Sequence, residues 1–278
     1  MTELRFRGIR LRVHLLFWAV IGVSLMTGQF LEILTLFTIV IIHEMGHVAV
    51  ARELGWTVTE IQLLPFGGVA TMEDAAAADP LDEIVVALAG PFMNIAMMAV
   101  SLLFWWTQIW SEEWTHFFVT SNAMIAGFNL LPIWPLDGGR IVQALLCYRL
   151  PYRQAALFSL GASSLFASLM LGLSSFSLNP NEFLIALYLL VANIQAFLRF
   201  PYQFLRFLMN KYIRQTEQAN LRPVWLAPHL TAMEASQQLR RGCTHLFYIK
   251  DVGLLSEEQL LHALLVEHKH NVSVSQLV

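Results

Sequence analysis

Apolar residues gather in segments of about 20 residues that recur from the N-terminus to Phe200, and charged residues return only beyond that point. A segment of this length can cross the hydrocarbon core of a bilayer as a helix. Hydrophobic residues make up 56% of the chain and charged residues 13%, against about 25% charged residues in a typical soluble domain. The sequence therefore predicts a polytopic membrane domain followed by a small polar one.

Six spans are predicted, near residues 13–30, 32–54, 82–107, 116–136, 155–177 and 181–199. All 17 Lys and Arg residues then fall on one side of the membrane. The loops on the opposite side contain acidic residues and no Lys or Arg. Because Lys and Arg accumulate in cytoplasmic loops, this pattern predicts that both termini are cytoplasmic. The net charge of −3 gives no reason to expect a nucleic-acid partner, and the two distant cysteines are expected to be ordinary thiols.

The second predicted span contains the sequence His43-Glu44-Met45-Gly46-His47. Ionisable residues are costly in hydrocarbon and therefore mark a functional site by default. On an α-helix, His43 and His47 lie about 40° apart and one turn along the axis, so both imidazoles can reach one metal ion. The pattern is typical of a zinc site in which Glu44 is the general base.

A third ligand is predicted at Asp137. A catalytic zinc usually takes three protein ligands and keeps a fourth position open for water. The fourth predicted span is broken by Pro132 and Pro135 and ends at Asp137, on the same side of the membrane as the two histidines. One Zn²⁺ per chain is therefore predicted. The alternative is that Asp137 only caps a helix that starts at Arg140.

The other histidines are weaker candidates. His14 lies near the cytoplasmic interface, where it either contacts the site or is an ordinary interfacial residue. Five histidines follow the last span and are predicted to lie on the surface: His229, His245, His262, His268 and His270.

These residues suggest peptide-bond hydrolysis. Zinc polarises a scissile carbonyl and acidifies water, and Glu44 would take the proton and pass it to the leaving amine. The amides of a membrane helix are protected by their own hydrogen bonds, so the substrate must be extended. Residues 56–71 alternate and predict a β-hairpin with a turn at Gly67-Gly68, whose edge strand near residues 63–69 would hold the substrate by strand addition.

Two further predictions concern the neighbourhood of this site. Asn129 is expected to donate a hydrogen bond to the substrate backbone or the oxyanion, or alternatively to tie the fourth span to a neighbour. An acidic, alanine-rich stretch at residues 73–83 predicts a solvated loop.

Together these motifs resemble those of the site-2 protease family of intramembrane zinc metalloproteases. The resemblance rests on His43 to His47 and on Asn129…Pro132…Asp137-Gly138, and it covers about residues 1–200. Ala89-Gly90-Pro91…Asn94 resembles a further element of the family. The resemblance implies that His43, His47 and Asp137 bind zinc and that Glu44 is the catalytic base. The predicted substrate-binding residues are Leu64, Pro65, Phe66, Gly67, Gly68 and Pro135.

Within that family, the compact six-span layout and the amino-acid sequences of the motifs resemble the sporulation branch found in Bacillus-type bacteria. That resemblance implies three things. The substrate would be a membrane-associated pro-sigma factor, inhibitory membrane proteins would hold the protease inactive, and the protein would lie in the mother-cell membrane around the forespore. These expectations rest on the resemblance and not on composition or spacing.

The predicted domains are a six-span metalloprotease domain at 1–200, an interfacial linker helix at 201–218 and a small cytoplasmic α/β domain at 219–278. The linker either lies on the membrane surface or continues the last helix. The β-α-β-β-α pattern of the last domain resembles a single CBS module, which implies ATP binding and pairing into a homo-oligomer. The alternative is a plain regulatory or dimerisation cap.

The fold class predicted is thus an all-α polytopic membrane protein with a membrane-associated β-hairpin and a small CBS-like domain. A membrane metal transporter or metal sensor that uses the same histidines is the competing function. Transport sites gather polar groups from several spans and often show repeats, whereas here the polar groups lie on one side and no repeat is evident. A catalytically dead scaffold is disfavoured because the motif residues are intact.

Overall fold

The structure, a computed structural model, describes residues 2–6, 9–13, 21–22, 24–64, 67–72, 78–177, 180–213 and 221–278. The chain forms two compact units. The first comprises Met1–Ala75, Ile84–Leu131 and Leu136–Gly138. The second comprises Ala76–Glu83, Pro132–Pro135 and Gly139–Val278.

The described helices are α1 (Phe30–Glu53), α2 (Pro80–Trp106), α3 (Glu112–Asn129), α4 (Asp137–Cys147), α5 (Tyr152–Ser177), α6 (Pro180–Ile213), α7 (Ala232–Ser236) and α8 (Glu257–Leu265). Within the described residues, four helices are long and apolar enough to cross a membrane: α1, α2, α5 and α6. They correspond to the second, third, fifth and sixth predicted spans, and they support an integral membrane protein. In the first predicted span, residues 14–20 and 23 lie outside the described residues, whereas 21–22 and 24–27 are helical.

The fourth predicted span is divided, as its prolines indicated. Helix α3 ends at Asn129, a connecting segment contains the cis peptide bond between Trp134 and Pro135, and α4 begins at Asp137. With 18 residues and two acids in its first turn, α3 is not among the four long apolar helices. Six spans therefore stay a prediction.

Helix α1 ends for a local reason. Gly55, just beyond the last turn, has a φ of 76°, a left-handed conformation that glycine adopts without steric cost. The backbone N–H of Gly55 donates to the carbonyl of Arg52 at 2.9 Å, which satisfies a carbonyl of the final turn. The chain can then leave the helix and enter the following strand.

The first unit contains a four-stranded sheet in the order β1 (Thr2–Phe6), β2 (Ile9–Val13), β3 (Val58–Leu64) and β4 (Gly67–Met72). The predicted hairpin is confirmed as β3 and β4, which pair antiparallel with Leu64 opposite Gly67. The predicted turn position is wrong, because Gly67 and Gly68 belong to β4. Strands β1 and β2 were not predicted, so an all-α description with one hairpin understates the β structure.

Strand β3 is an interior strand of this sheet. It pairs in parallel with β2 on one side and antiparallel with β4 on the other. The prediction that an edge strand spans residues 63–69 is therefore wrong for the part in β3. Among the described strands, the outer edges belong to β1 and β4.

The second unit ends in a three-stranded sheet of β5 (Leu221–Leu226), β6 (Thr244–Ile249) and β7 (Gly253–Ser256). With α7 and α8 it has the predicted β-α-β-β-α order, while identity with a CBS module stays a prediction. Its buried core joins the sheet to the helices through Phe204, Phe207, Phe247, Leu255 and Leu260. Helix α6 continues past Pro201 to Ile213, so residues 201–213 extend the last helix.

The solvated-loop prediction for residues 73–83 is wrong at its end. Residues 80–83 form the first turn of α2, and residues 73–77 lie outside the described part. Glu83 is half-buried and forms an ion pair with the buried Arg241, whose Nε also donates to the carbonyl of Ala78 at 3.0 Å. Glu83 therefore has an ion-pair partner that the sequence around it does not indicate.

Candidate metal centre

Three side chains converge in the first unit, two from α1 and one from the first residue of α4. The Nε2 atoms of His43 and His47 lie 3.2 Å apart. Oδ2 of Asp137 lies 3.3 Å from the first and 3.2 Å from the second. All three residues are buried, and within the described residues they are the one group of this kind that could hold a metal ion.

The two histidines come from successive turns of α1, as the spacing predicted, and α2 orients both rings. Nδ1 of His47 donates to the backbone carbonyl of Val86 at 2.7 Å. Nδ1 of His43 lies 2.6 Å from Oδ1 of Asn94. A histidine whose Nδ1 carries the proton presents the lone pair of Nε2, which is the form that binds a metal.

The donor set fits zinc. Zinc–ligand bonds of about 2.0–2.1 Å in a tetrahedron place neighbouring donor atoms about 3.3 Å apart, close to the separations found here. Two nitrogen lone pairs and a carboxylate oxygen all point into one buried space. This arrangement of like partial charges repels unless a cation lies between them, and two imidazoles with one carboxylate are ligands that zinc takes.

Close helix packing makes room for this arrangement. A Cβ atom added at Gly90 would lie 2.6 Å from Cε1 of His47 and 2.7 Å from Cε1 of His43. One added at Gly46 would lie 2.6 Å from Cγ of Met93 and 2.8 Å from the carbonyl of Ala89. The hydrogen atoms of these two glycines therefore allow α1 and α2 to bring the imidazoles against the backbone of α2.

Asp137 is positioned by the break after α3. Helix α4 starts at Asp137 itself, so the alternative, in which Asp137 caps a helix that starts at Arg140, is wrong. Gly138 packs against the carbonyls of Leu130 and Leu131, at distances that a side chain would not allow. The turn thus places the carboxylate beside the two histidines.

The remaining predicted residues are placed as follows. Glu44 is half-buried beside His43 on α1. Asn129 ends α3, and its Nδ2 donates to the carbonyl of Ile125 in its own helix at 2.9 Å. Leu64, Gly67 and Gly68 lie in the hairpin, and Pro135 is half-buried in the segment before α4. Pro65, Phe66 and His14 lie outside the described residues.

Sequence reasoning missed the roles of two asparagines. Asn94 belongs to a family motif that implies no role for it, and Asn122 on α3 belongs to none of the motifs. Both are fully buried, and Nδ2 of Asn94 donates to Oδ1 of Asn122 at 3.1 Å. The available signal was a carboxamide inside an apolar helix, which needs a partner when buried.

One histidine beyond the last span is not on the surface. His245 is buried in β6, and its Nδ1 lies 2.7 Å from Oε2 of Glu257. Nζ of Lys211 lies 2.6 Å from the other carboxylate oxygen of Glu257. The surface prediction is therefore wrong for His245, which belongs to a charged network inside the second unit.

Comparison with known proteins gives one family. A family model described as peptidase family M50 matches residues 31–112 and 105–171. The chain is 29% identical over 278 residues to stage IV sporulation protein FB of Bacillus subtilis, which covers 97% of this chain and 96% of that one. It is 30% identical over 194 residues to a zinc metalloprotease of Methanocaldococcus jannaschii, which covers 66% of this chain and 56% of the relative.

A solved structure indicates the same family. The site-2 protease from Methanocaldococcus jannaschii superposes with a TM-score of 0.58 at 30% sequence identity. The match covers 70% of this chain and 94% of that one.

Proposed function

The chain belongs to peptidase family M50 and is a metalloendopeptidase of the site-2 protease type, and from that premise we propose that it cleaves a membrane-associated precursor protein at the membrane. The observation that carries the proposal is the convergence of His43, His47 and Asp137 on one buried point. We propose these three as the zinc ligands. A bound zinc supplies a Lewis acid that polarises the scissile carbonyl and makes water more acidic.

Glu44 is the general base in this proposal. It follows His43 directly on α1 and is half-buried, so it combines proximity to the ligands with access to water. Its carboxylate accepts a proton from the attacking water and then donates that proton to the leaving amine nitrogen. A residue with this role is needed for catalysis but not for binding the metal.

The hairpin presents the substrate in an extended form. Because β3 is paired on both sides, the outer edge of β4 is the edge we propose for strand addition. Gly67 and Gly68 lie on that strand and Leu64 pairs with its first residue. We propose Pro65, Phe66 and Pro135 as further substrate contacts, with Asn129 donating to the substrate backbone or the oxyanion.

We propose a pro-sigma factor as the precursor. The support is the similarity to stage IV sporulation protein FB over 97% of this chain, because that name assigns the relative to sporulation. From the resemblance to the sporulation branch we also propose inhibitory membrane partner proteins and a location in the mother-cell membrane around the forespore. We propose cytoplasmic termini from the one-sided distribution of Lys and Arg. We propose ATP binding and homo-oligomer formation by the last domain only from the resemblance of its β-α-β-β-α order to a CBS module.

Co-expression with a pro-sigma precursor tests the proposal. The intact protein should convert the precursor to a shorter product on an immunoblot, and the Glu44→Gln variant should leave it intact while accumulating to the same level in the membrane. Zinc content of the two purified proteins should be equal. Equal cleavage by the Glu44→Gln variant would falsify the role of Glu44, and no cleavage by either protein would reject this substrate.

A further inference from the structure

A chain of hydrogen bonds leads from the candidate metal site across two helices. Oδ1 of Asn94 on α2 lies 2.6 Å from Nδ1 of His43. Nδ2 of Asn94 donates to Oδ1 of Asn122 on α3 at 3.1 Å. Nδ2 of Asn122 in turn donates to the backbone carbonyl of Phe118 at 2.9 Å. Both asparagines have 0% exposed surface, so these contacts have no water to replace them.

The far end of the chain determines its direction. A backbone carbonyl can only accept a hydrogen bond, so the amide nitrogen of Asn122 must face Phe118. The oxygen of Asn122 then faces Asn94 and requires its NH₂ group. The oxygen of Asn94 is thereby directed at His43, and Nδ1 of His43 must carry the proton.

We propose that Asn122 is a positioning residue of the metal site. Acting through Asn94, it selects the tautomer of His43 that exposes the Nε2 lone pair toward His47 and Asp137. This inference rests on the proposed zinc site. Reversal of the Asn94 amide would point its NH₂ group at His43, favour a proton on Nε2 and place that proton where the metal binds.

The second histidine offers an internal comparison. His47 donates directly to the backbone carbonyl of Val86, which cannot be reversed. Only the His43 side of the site therefore depends on the orientation of side-chain amides. A change at Asn122 should weaken one ligand of three and leave the other two in place.

Two substitutions at Asn122 separate positioning from packing. Asn122→Leu keeps a similar volume but removes the group that holds the Asn94 amide in one orientation. Asn122→Asp can keep the direction of the chain, since a neutral carboxyl group donates to the carbonyl of Phe118 and accepts from Asn94. Thr115→Val is the matched control, because Thr115 is a buried polar residue of α3 whose hydroxyl donates locally, at 2.9 Å, to the carbonyl of Ser111 at the start of that helix.

The experiment measures zinc dissociation from the full-length protein in detergent with a chromogenic chelator, together with the absorption spectrum after replacement by Co²⁺. Asn122→Leu should lose zinc about 10- to 100-fold faster than the intact protein and show an altered Co²⁺ spectrum. Asn122→Asp should recover most of the loss, and Thr115→Val should match the intact protein.

Three outcomes bear on the inference differently. Folded Asn122→Leu protein with the zinc dissociation rate and Co²⁺ spectrum of the intact protein would overturn it. Equal losses in Asn122→Leu and Asn122→Asp, in proportion to lower thermal stability, would also overturn it by indicating packing alone. Failure of the intact protein to bind zinc would instead overturn the proposed function, on which the inference about Asn122 rests.

Discussion

Gly90→Ala tests whether close helix packing builds the metal site. Ordinary contact begins at 3.4 Å, and the new Cβ would lie 2.7 Å from Cε1 of His43, so that ring must retreat by about 0.7 Å. Metal sites hold their ligand distances to about ±0.2 Å, and both rings are restrained by their Nδ1 hydrogen bonds. The added methyl group is therefore expected to displace at least one nitrogen ligand.

The size of the effect follows from the packing. Overpacking a well-filled interior costs about 1–3 kcal/mol, which corresponds to zinc binding weaker by about 5- to 150-fold if the strain is relieved by moving a ligand. Alanine is a better helix former than glycine by about 1 kcal/mol, so the helix itself should not be weakened. A loss of zinc affinity would then come from the contact with the imidazoles.

Chelator competition in detergent measures this affinity. The matched control is Gly161→Ala on α5, where an added Cβ has no atom within 4 Å. This control should bind zinc as the intact protein does. Folded Gly90→Ala protein that binds zinc within about twofold of the intact protein would refute the reasoning, because an overpacking cost of about 1 kcal/mol or more predicts a larger change.

Three further predictions concern the ligand set and the second unit. Asp137→Ala should reduce bound zinc from about one per chain to near zero after dialysis, because it removes one of three ligands; retained zinc and activity would assign that role to another group. Arg241→Met should lower the free energy of unfolding by about 3 kcal/mol, the lower end of the range for a buried pair, since it leaves the half-buried carboxylate of Glu83 without its ion-pair partner. Thermal unfolding checks this value, and a Glu83→Gln change in the same protein should restore part of it. Acidification below about pH 6.5 should destabilise the second unit. Burial lowers the pKa of His245 below its ordinary value, so stability is lost as the pH falls and the ring must take a proton. Burial alone would raise the pKa of Glu257, but its hydrogen bond from His245 and the charge of Lys211 lower it, so its contribution is lost at still lower pH. A melting temperature that does not change between pH 7.5 and about pH 5 would contradict this.

The metal site was predictable because its signals are local. The spacing of His43 and His47 follows from helix geometry, and the break before Asp137 follows from two prolines and two glycines. Charged residues in apolar segments stand out wherever they occur. These features need no knowledge of how the helices pack.

The parts that sequence reasoning missed depend on partners far along the chain. Nothing near Asn122 indicates that it meets Asn94, and nothing near Glu83 indicates that it pairs with Arg241. A surface position is predicted for His245 because it follows the last span, and its partner Glu257 lies twelve residues away on another element. Such contacts are set by tertiary packing.

The N-terminal strands β1 and β2, by contrast, have a local signal in the sequence. Apolar and polar side chains alternate on either side of Gly8, and the apolar ones are Leu4, Phe6, Ile9, Leu11 and Val13. That period of two is a strand signal. The arginines between these residues also fit the positive charges that precede a membrane span, and this second interpretation conceals the strand signal. Because β2 pairs with one side of β3, the edge of the β3–β4 hairpin that could accept a substrate strand is the outer edge of β4.

The most direct test of the account is the rate at which the purified protein cleaves a pro-sigma precursor in detergent as zinc is removed with a chelator and then restored. The account predicts that cleavage disappears with the metal and returns with it, and that Glu44→Gln protein carrying the same amount of zinc stays inactive. Cleavage that persists without zinc, or that the metal-loaded Glu44→Gln variant carries out at the normal rate, would contradict it.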